Sequence, residues 1–373
     1  MARVNAWFDR WVRPRVRFAG RSVSAFHYCG IIGVIAAVIL AETLVIRRGG
    51  SALIMGAVVI ASMLTFLALV MGQKIVTGEE RIIYYHHEIG VMVVAWLLVT
   101  ILGAPPLLYL DATLLGIGAF LACGRVGCTM VGCCHGKPHR LGVLYLPEHA
   151  EHGFARYYVG IRLFPVQLIE SILVALATLS GAWLVWRGDP FGSGLAWYVV
   201  FYDSVRFALE YIRGDDDRPY YGGFSQAQWI SSILLVLVVL GEWRGWLPWH
   251  PWHAAIGAVM VAVMIVQAIV RRFIRSERER LLHPHHVREV AEALDVARAG
   301  GDAISVRETS RGVLISAGVR HYSLSTRGAP MSEEAAEIVA SLVRQLLHIS
   351  TPTELRKGGH GVYHLVVERG REG

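Results

Sequence analysis

Apolar residues fall in blocks separated by short polar stretches, and several of these blocks are long enough to cross a lipid bilayer. A transmembrane helix needs about 20 consecutive, mostly apolar residues. The blocks predict membrane spans at residues 28–46, 52–72, 89–103, 107–123, 166–186, 195–212, 229–240 and 253–270. Because the fourth block contains Asp111 and the seventh is short, we predict seven or eight spans.

The two ends of the chain follow a different pattern. Six arginines and four bulky aromatic residues occupy positions 1–21, which is typical of a basic interfacial segment rather than a signal peptide. After residue 272, charged residues become frequent and predicted helices alternate with strand-like runs. The helices are expected at 282–298 and 331–347, and the strands at 303–307, 313–317 and 362–367.

This pattern predicts an all-α polytopic membrane protein with a small C-terminal α+β soluble domain. The transmembrane domain would cover residues 22–272 and the soluble domain residues 273–373. The soluble domain shows no metal-ligand cluster, phosphate-binding loop or nucleophile motif, so we expect it to have a structural or regulatory role.

The amino-acid composition supports a membrane protein over a wholly soluble one. The 373 residues are 54% hydrophobic and only 17% charged, against about 25% charged in soluble domains. The net charge of +7 suits arginines that flank membrane spans and anionic lipid headgroups, so no nucleic-acid partner is needed to explain it. The basic segment at 1–21 and the arginines at 271–275 both favour the cytoplasmic side, which eight spans would satisfy. Arginines that bind a phosphate are placed for chemistry and do not report orientation, so the sequence leaves the orientation open.

Ionisable residues beside the spans are candidates for function because they are costly in a membrane. His86, His87 and Glu88 lie at the start of the third span. A histidine beside a carboxylate can accept a proton near neutral pH. The alternative is a polar cap at the membrane interface without a chemical role.

A glycine-rich segment, residues 124–137, follows the fourth span. Gly124 and Gly127 allow tight turns and close approach of the backbone to a ligand, and Arg125 can grip a phosphate with two hydrogen bonds. The same segment offers a possible metal or redox site, with Cys128, Cys133, Cys134 and His135 as its members. Adjacent cysteines fit poorly with the usual ligand spacing of structural zinc sites, so inert buried thiols are the simpler interpretation.

Two further clusters lie near the ends of later spans. Gln167 and Glu170 share one face of the fifth predicted helix, where they could line a cavity or hydrogen-bond to another helix. Arg206, Glu210 and Arg213 form a stripe along the sixth, either as a structural ion pair or as an anion site. Two arginines that share one glutamate leave positive charge available for an anion.

Together these motifs resemble the phosphatidylglycerol–prolipoprotein diacylglyceryl transferase family across residues 22–243. The matching pieces occur in the family's order: Tyr28, the His86/His87 segment, Gly124-Arg125-x-Gly127, Pro165-x-Gln167-Leu168-x-Glu170, Arg206-x-x-x-Glu210-x-x-Arg213 and Gln228. The resemblance implies a helical fold of seven spans in the bacterial inner (cytoplasmic) membrane. It also implies transfer of the diacylglyceryl group of phosphatidylglycerol to a prolipoprotein cysteine, with release of glycerol phosphate and without a cofactor or metal.

The resemblance also implies roles for individual residues. Arg125 and Arg206 would hold the phosphate, Glu210 would orient Arg206, and a histidine of the pair His86 and His87 would remove the thiol proton. Substrate binding would involve Tyr28, Gly124, Gly127, Gln167, Glu170, Arg213 and Gln228.

One motif departs from the family pattern, which reads Gly-Arg-x-Gly-Asn-x-x-Asn-x-Glu. Here Cys128 and Val131 replace the asparagines and Cys133 replaces the glutamate. Three hypotheses therefore stand: a transferase that uses phosphatidylglycerol or another anionic phospholipid, a redox or metal-binding membrane protein, and a non-catalytic lipid-binding relative.

Overall fold

The computed structural model describes residues 2–18, 20–78, 84–216, 218–273, 276–299, 305–318 and 321–367. Long helices form where the apolar blocks lie, because a helix satisfies all its backbone hydrogen bonds internally and so can cross lipid. The helices are α1 Ala2–Trp11, α2 Ala25–Arg47, α3 Ala52–Thr77, α4 Tyr84–Ile101, α5 Pro106–Val131, α6 Pro147–Ala150, α7 Val166–Arg187, α8 Ser193–Leu209, α9 Gln226–Trp243, α10 Pro251–Phe273, α11 Glu277–Leu281, α12 Pro284–Ala299 and α13 Glu333–Leu346.

Short strands occupy the connections and the C-terminal domain. They are β1 Arg15–Phe18, β2 Arg21–Ser24, β3 Pro138–Leu144, β4 Arg162–Leu163, β5 Tyr220–Tyr221, β6 Phe224–Ser225, β7 Val306–Glu308, β8 Val313–Ala317, β9 His321–Thr326, β10 Thr353–Lys357 and β11 Tyr363–Val367. The last five form an antiparallel sheet in the order β10-β11-β9-β8-β7. The fold class predicted from the sequence is therefore confirmed.

Seven of the described helices are long and apolar enough to cross a membrane: α2, α3, α4, α5, α7, α9 and α10. Helix α8 has 17 residues, which is the lower end of the spanning range of about 17–25 residues. It runs from the end of α7 to the start of α9, so it extends from one end of the bundle to the other. Helix α1 and the C-terminal domain lie at the same end of the bundle, where they share a hydrophobic core.

The helices alternate in direction, so the bundle has two ends with different connections. At the end that we call the loop end, α2, α4, α7 and α9 begin and α3, α5, α8 and α10 finish. The long connections 132–165 and 210–225 lie there, together with α1 and the C-terminal domain. The opposite end carries the short connections 48–51, 102–105, 188–192 and 244–250.

A second hydrophobic core lies at the loop end, outside the helical bundle. It joins Phe8 of α1 and Leu163 of β4 to Leu281, Val290 and Ala336 of the C-terminal domain. Three parts of the chain that are distant in sequence therefore bury their apolar side chains together. The shared core fixes the C-terminal domain against the loops of the membrane domain.

Helix α5 is longer than the sequence pattern predicts. The apolar block ends at residue 123, but the helix continues through the glycine-rich segment to Val131. Gly127 is needed for packing rather than for a turn, because a Cβ there would lie 3.1 Å from the Cβ of Cys29 and from the Cα of Phe26 on α2. The turn comes only at Gly132 and Cys134, whose φ angles of 92° and 55° are left-handed.

Candidate active site

The structure brings the polar motifs to one end of the bundle. Tyr28 and the histidine pair lie at the beginnings of α2 and α4, and the glycine-rich motif at the end of α5. Gln167 and Glu170 lie near the start of α7, and Gln228 lies in the first turn of α9. Arg206 lies in the last turn of α8, and Glu210 and Arg213 follow directly after that helix. Because neighbouring helices run in opposite directions, motifs far apart in sequence meet at the loop end.

The centre of the site is a buried carboxylate shared by two arginines. Glu170 of α7 lies 3.0 Å from Nε of Arg125 on α5 and 3.8 Å from Nε of Arg206 on α8. Tyr202, one helical turn before Arg206, donates a hydrogen bond of 3.0 Å to the Oε1 atom of Glu170. All four side chains are buried. Three helices are therefore joined by charge at one point.

The network continues through Glu210 into the connection after α8. Oε1 of Glu210 lies 2.7 Å from Nη1 of Arg206 and 3.8 Å from Nε of Arg213, and its Oε2 accepts from Arg218. Burial alone would raise the pKa of Glu210, but these three guanidiniums outweigh it and lower the pKa to about 2. Glu210 is therefore ionised at neutral pH.

Asp215 holds the outer arginines of the network. Arg213 forms a two-pronged ion pair with it, through Nε at 2.9 Å and Nη2 at 2.8 Å, and Nε of Arg218 lies 3.3 Å away. Burial opposes ionisation, but Arg213 and Arg218 lower the pKa of Asp215 below its usual value. Among the described residues, four buried or nearly buried arginines thus face three carboxylates, and one formal positive charge remains.

Arg125 keeps donors free for a ligand. Within the described part of the chain, its one ion pair is made through Nε to Glu170. A guanidinium carries five N–H donors in a fixed planar fork. The Nη groups of Arg125 can therefore bind a second anion while Glu170 holds the side chain in place.

The backbone around Cys133–Lys137 is tied to the same network. The amide of Gly214 donates to the carbonyl of His135, and Gly136 forms a bridge with Arg213. Gln167 donates from Nε2 to the carbonyl of Cys133 at 2.9 Å. The turn after α5 is thereby held between α7 and the end of α8.

The three thiols of this turn lie close together. The sulfur atoms of Cys128, Cys133 and Cys134 are within 4.8 Å of one another. Hydrogen bonds from the two neighbouring thiols, and then the guanidiniums of Arg213 and Arg125, lower the pKa of Cys134 well below its usual value. The thiol cluster therefore lies close enough to the arginine network for the arginines to affect its charge.

His135 does not join this group of thiols. Its ring packs edge-on against Phe154 and Tyr158, and its Nδ1 atom lies 3.0 Å from the carbonyl of Gly136. Burial lowers the pKa of His135 and favours the neutral ring. This histidine packs as an aromatic side chain against its neighbours.

The two candidate histidines point in different directions. His86 is exposed, and its Nε2 atom lies 3.2 Å from the side-chain nitrogen Nε2 of Gln226 at the start of α9. His87 is buried, with its ring centroid 4.7 Å from that of Phe66. Of the pair, His86 is the one that a substrate arriving from outside the bundle could reach.

The remaining candidates lie around the central network. Tyr28 is half-buried, and its ring lies 5.5 Å from that of Phe18. A Cβ on Gly124 would meet no atom within 4 Å, so this position borders open space, in contrast to tightly packed Gly127. Gln228 forms a capping box with Ser225, the N-cap of α9, and its Oε1 atom accepts from the amide of Ser225.

Sequence reasoning missed three members of the network: Tyr202, Asp215 and Arg218. Tyr202 could have been found, since it precedes Arg206 by four residues and so shares its helix face. Asp215 and Arg218 lie in a connection whose path depends on contacts with the loop after α5. No periodic pattern specifies such a path.

A polytopic helical protein with arginines and carboxylates buried at one end of its bundle has a membrane-embedded site suited to an anionic group. Comparison with known sequences gives the class a name. The sequence profile of the prolipoprotein diacylglyceryl transferase family matches residues 16–244, which is more than half of the chain. The chain belongs to this family.

Individual relatives are similar over shorter stretches. A phosphatidylglycerol–prolipoprotein diacylglyceryl transferase of Clostridium tetani is 32% identical over 116 residues, covering 31% of this chain and 44% of the relative. The corresponding transferase 2 of Clostridium perfringens is 29% identical over 132 residues, covering 34% and 47%. One from Dehalococcoides mccartyi is 30% identical over 130 residues, covering 35% and 48%. The matched stretches span a little less than half the length of these relatives.

Proposed function

We propose that the protein is a membrane transferase that moves the diacylglyceryl group of phosphatidylglycerol to the cysteine thiol of a prolipoprotein in the bacterial inner membrane. The observation that carries the proposal is the sharing of Glu170 by Arg125 and Arg206. These residues come from three separate motifs within the matched range 16–244. Family membership also favours this function over a redox or metal-binding one.

The arginines would bind the phosphate that links the two glycerol units of the donor. Positive charge placed in advance, in a site with little water, stabilises the charge that develops on a leaving phosphate. Arg125 and Arg206 would supply this charge, while Glu170 and Glu210 keep their guanidiniums oriented. Arg213 would extend the positive surface toward the loop end.

The transfer step forms one bond and breaks one. The acceptor sulfur attacks the terminal carbon of the diacylglyceryl group and forms a thioether. The bond from that carbon to the phosphate oxygen breaks, and its electron pair leaves with glycerol phosphate. The thiol proton goes to a base, because the thiolate is the nucleophile, and accessible His86 is our candidate for it.

The test is rescue of a bacterial strain depleted of its own transferase. The wild-type protein should restore growth and lipoprotein processing, and Arg125→Ala should fail at equal abundance in the membrane. Removal of one hydrogen-bond donor that stabilises charge in the transition state lowers the rate about 10²–10³-fold. Failure of well-expressed wild-type protein would contradict the proposal.

Arg187→Ala provides a matched control for this experiment. Arg187 ends α7 at the opposite end of the bundle, where it pairs with Asp189 at 2.7 Å. The substitution removes the same charge far from the site and should leave the rescue intact. Equal failure of both variants would show that charge loss anywhere disables the protein, and the arginine network would lose its special role.

A further inference from the structure

A cavity of about 850 Å³ lies between the membrane domain and the C-terminal domain. Glu210, Arg213 and Gln228 line it on the membrane side, and Arg278 and Arg311 on the other. Sites for small molecules usually measure about 300–1,000 Å³. The C-terminal wall lies beyond residue 244, where the family match ends.

The lining of the cavity carries an excess of positive charge. Six of its described side chains are cationic and three are acidic: Lys137, Arg213, Arg271, Arg278, Arg280 and Arg311, against Glu210, Glu277 and Glu279. Among the described residues, neither Arg278 nor Arg311 forms an ion pair with a carboxylate. Their guanidiniums are therefore available to an anion that enters the cavity.

One histidine of the same wall, His283, has a lowered pKa, and burial is the main cause. Burial, and then the nearby His285 and Arg311, lower the pKa of His283 to about 4. Its Nδ1 atom is buried and makes no hydrogen bond within the described residues. An anion in the cavity would therefore meet a wall whose charged side chains are mostly cationic.

The wall is held in place by direct contacts with the membrane domain. Nη1 of Arg288 lies 3.0 Å from Oδ2 of Asp216, and Nε2 of His285 lies 3.1 Å from the carbonyl of Arg218. Arg218 in turn pairs with Glu210 in the arginine network. The C-terminal domain is thus linked to the proposed phosphate site through a short chain of contacts.

We propose that this cavity binds a phosphate-bearing anion and that Arg278 and Arg311 of the C-terminal domain hold its phosphate. The identity of the anion rests on the proposed function. Glycerol phosphate would leave Arg125 and Arg206 and pass through the cavity on the side of Arg213. The C-terminal domain would then be part of the substrate and product path.

The test measures binding of three probes by titration calorimetry. The full-length protein is placed in nanodiscs of neutral lipid and titrated with glycerol phosphate, with inorganic phosphate and with glycerol. The double variant Arg278→Gln/Arg311→Gln should bind glycerol phosphate at least about tenfold more weakly, because two charge-assisted contacts are lost. Arg344→Gln is the control, since Arg344 pairs with Glu337 on α13 and lies outside the cavity lining.

The probes distinguish the possible sources of the phosphate. Tighter binding of glycerol phosphate than of inorganic phosphate supports an organic phosphate, whereas equal binding by both supports a site for phosphate alone. If neither soluble probe binds, phosphatidylglycerol added to the nanodiscs should bind in a manner that depends on Arg278 and Arg311, which supports a lipid headgroup. Equal binding of every probe by the wild-type protein and the double variant would overturn the proposal.

Failure of the cavity proposal can be distinguished from failure of the proposed function. A wild-type protein that binds glycerol phosphate through Arg278 and Arg311, but does not transfer diacylglyceryl groups, would reject the transferase and keep the cavity site. If the protein transfers diacylglyceryl groups but the double variant binds glycerol phosphate as tightly as wild type, the transferase proposal is kept and the cavity site is rejected. Thermal unfolding of each variant checks that the C-terminal domain remains folded.

Discussion

Helix α5 carries one buried ionisable side chain near each end, and the two are stabilised in different ways. Asp111 accepts hydrogen bonds from the amides of Gly192 and Leu195, each at 2.7 Å, at the start of α8. Arg125, about 21 Å farther along the helix, makes its one ion pair among the described residues with Glu170, whose Oε2 lies 3.0 Å from Nε. The amides of a helix start suit a carboxylate and satisfy Asp111 within the protein.

The contrast shows how a buried polar group with a structural role differs from one that is a candidate for binding a ligand. Both side chains are buried in an apolar chain, so burial does not separate them. What separates them is whether their hydrogen-bonding capacity is used. Asp111 holds two helices together, whereas Arg125 has unused donors beside other arginines.

The largest effect is expected from Glu170→Ala. The change leaves Arg125 without its carboxylate and removes one partner of Arg206, and breaking a buried ion pair costs about 3–5 kcal/mol. We expect the proposed diacylglyceryl transfer to fall at least about a hundredfold, since both arginines lose their orientation. Transfer assays and thermal unfolding of purified protein measure the two effects. Activity within tenfold of wild type would show that Glu170 does not organise the site.

Asp111→Ala should have an intermediate effect, on stability alone. It leaves two amides at the start of α8 without an acceptor, at a cost of about 1–3 kcal/mol in unfolding free energy. Transfer activity per folded molecule should stay within twofold of wild type, because the site lies at the other end of the bundle. A large loss of activity in fully folded protein would show that Asp111 acts on the site and not on stability alone.

The smallest effect is a pH dependence of stability from Glu210. Its pKa is about 2 in the folded protein and about 4.3 in an unfolded chain. The stabilisation is therefore complete above the unfolded value and is lost as the pH falls toward 2. Each pH unit in this window removes at most about 1.4 kcal/mol. In detergent, the melting temperature between pH 4.5 and 3.5 should fall less for Glu210→Gln than for wild type.

Much of the membrane domain could be predicted from hydrophobic pattern. The predicted span at 166–186 corresponds to Val166–Arg187, and the one at 253–270 to Pro251–Phe273. Lipid permits few alternatives to a helix, so a long apolar block has one outcome. The strand predicted at 313–317 is β8, and the strand at 303–307 appears as Val306–Glu308, with residues 303 and 304 outside the described ranges.

The details of the site were less predictable. The sequence pattern ended the fourth span at residue 123 because glycines and polar residues follow, yet Gly127 serves helix packing and α5 continues. The pairing of Arg125 with Glu170 joins residues on two helices, and spacing along either helix cannot specify it. Arg206, in the last turn of α8, and Glu210, directly after the helix, were predictable as a pair because four residues separate them.

The shared core at the loop end has a consequence for the order of assembly during biosynthesis. Phe8 and Leu163 emerge from the ribosome long before Leu281 and Ala336, which complete their packing. Until then, the connections beside the arginine network keep apolar surface exposed to water. The site would reach its final form only after the last helix has been inserted and the C-terminal domain has folded, so a stalled or truncated chain would remain recognisable to proteases that seek exposed apolar segments.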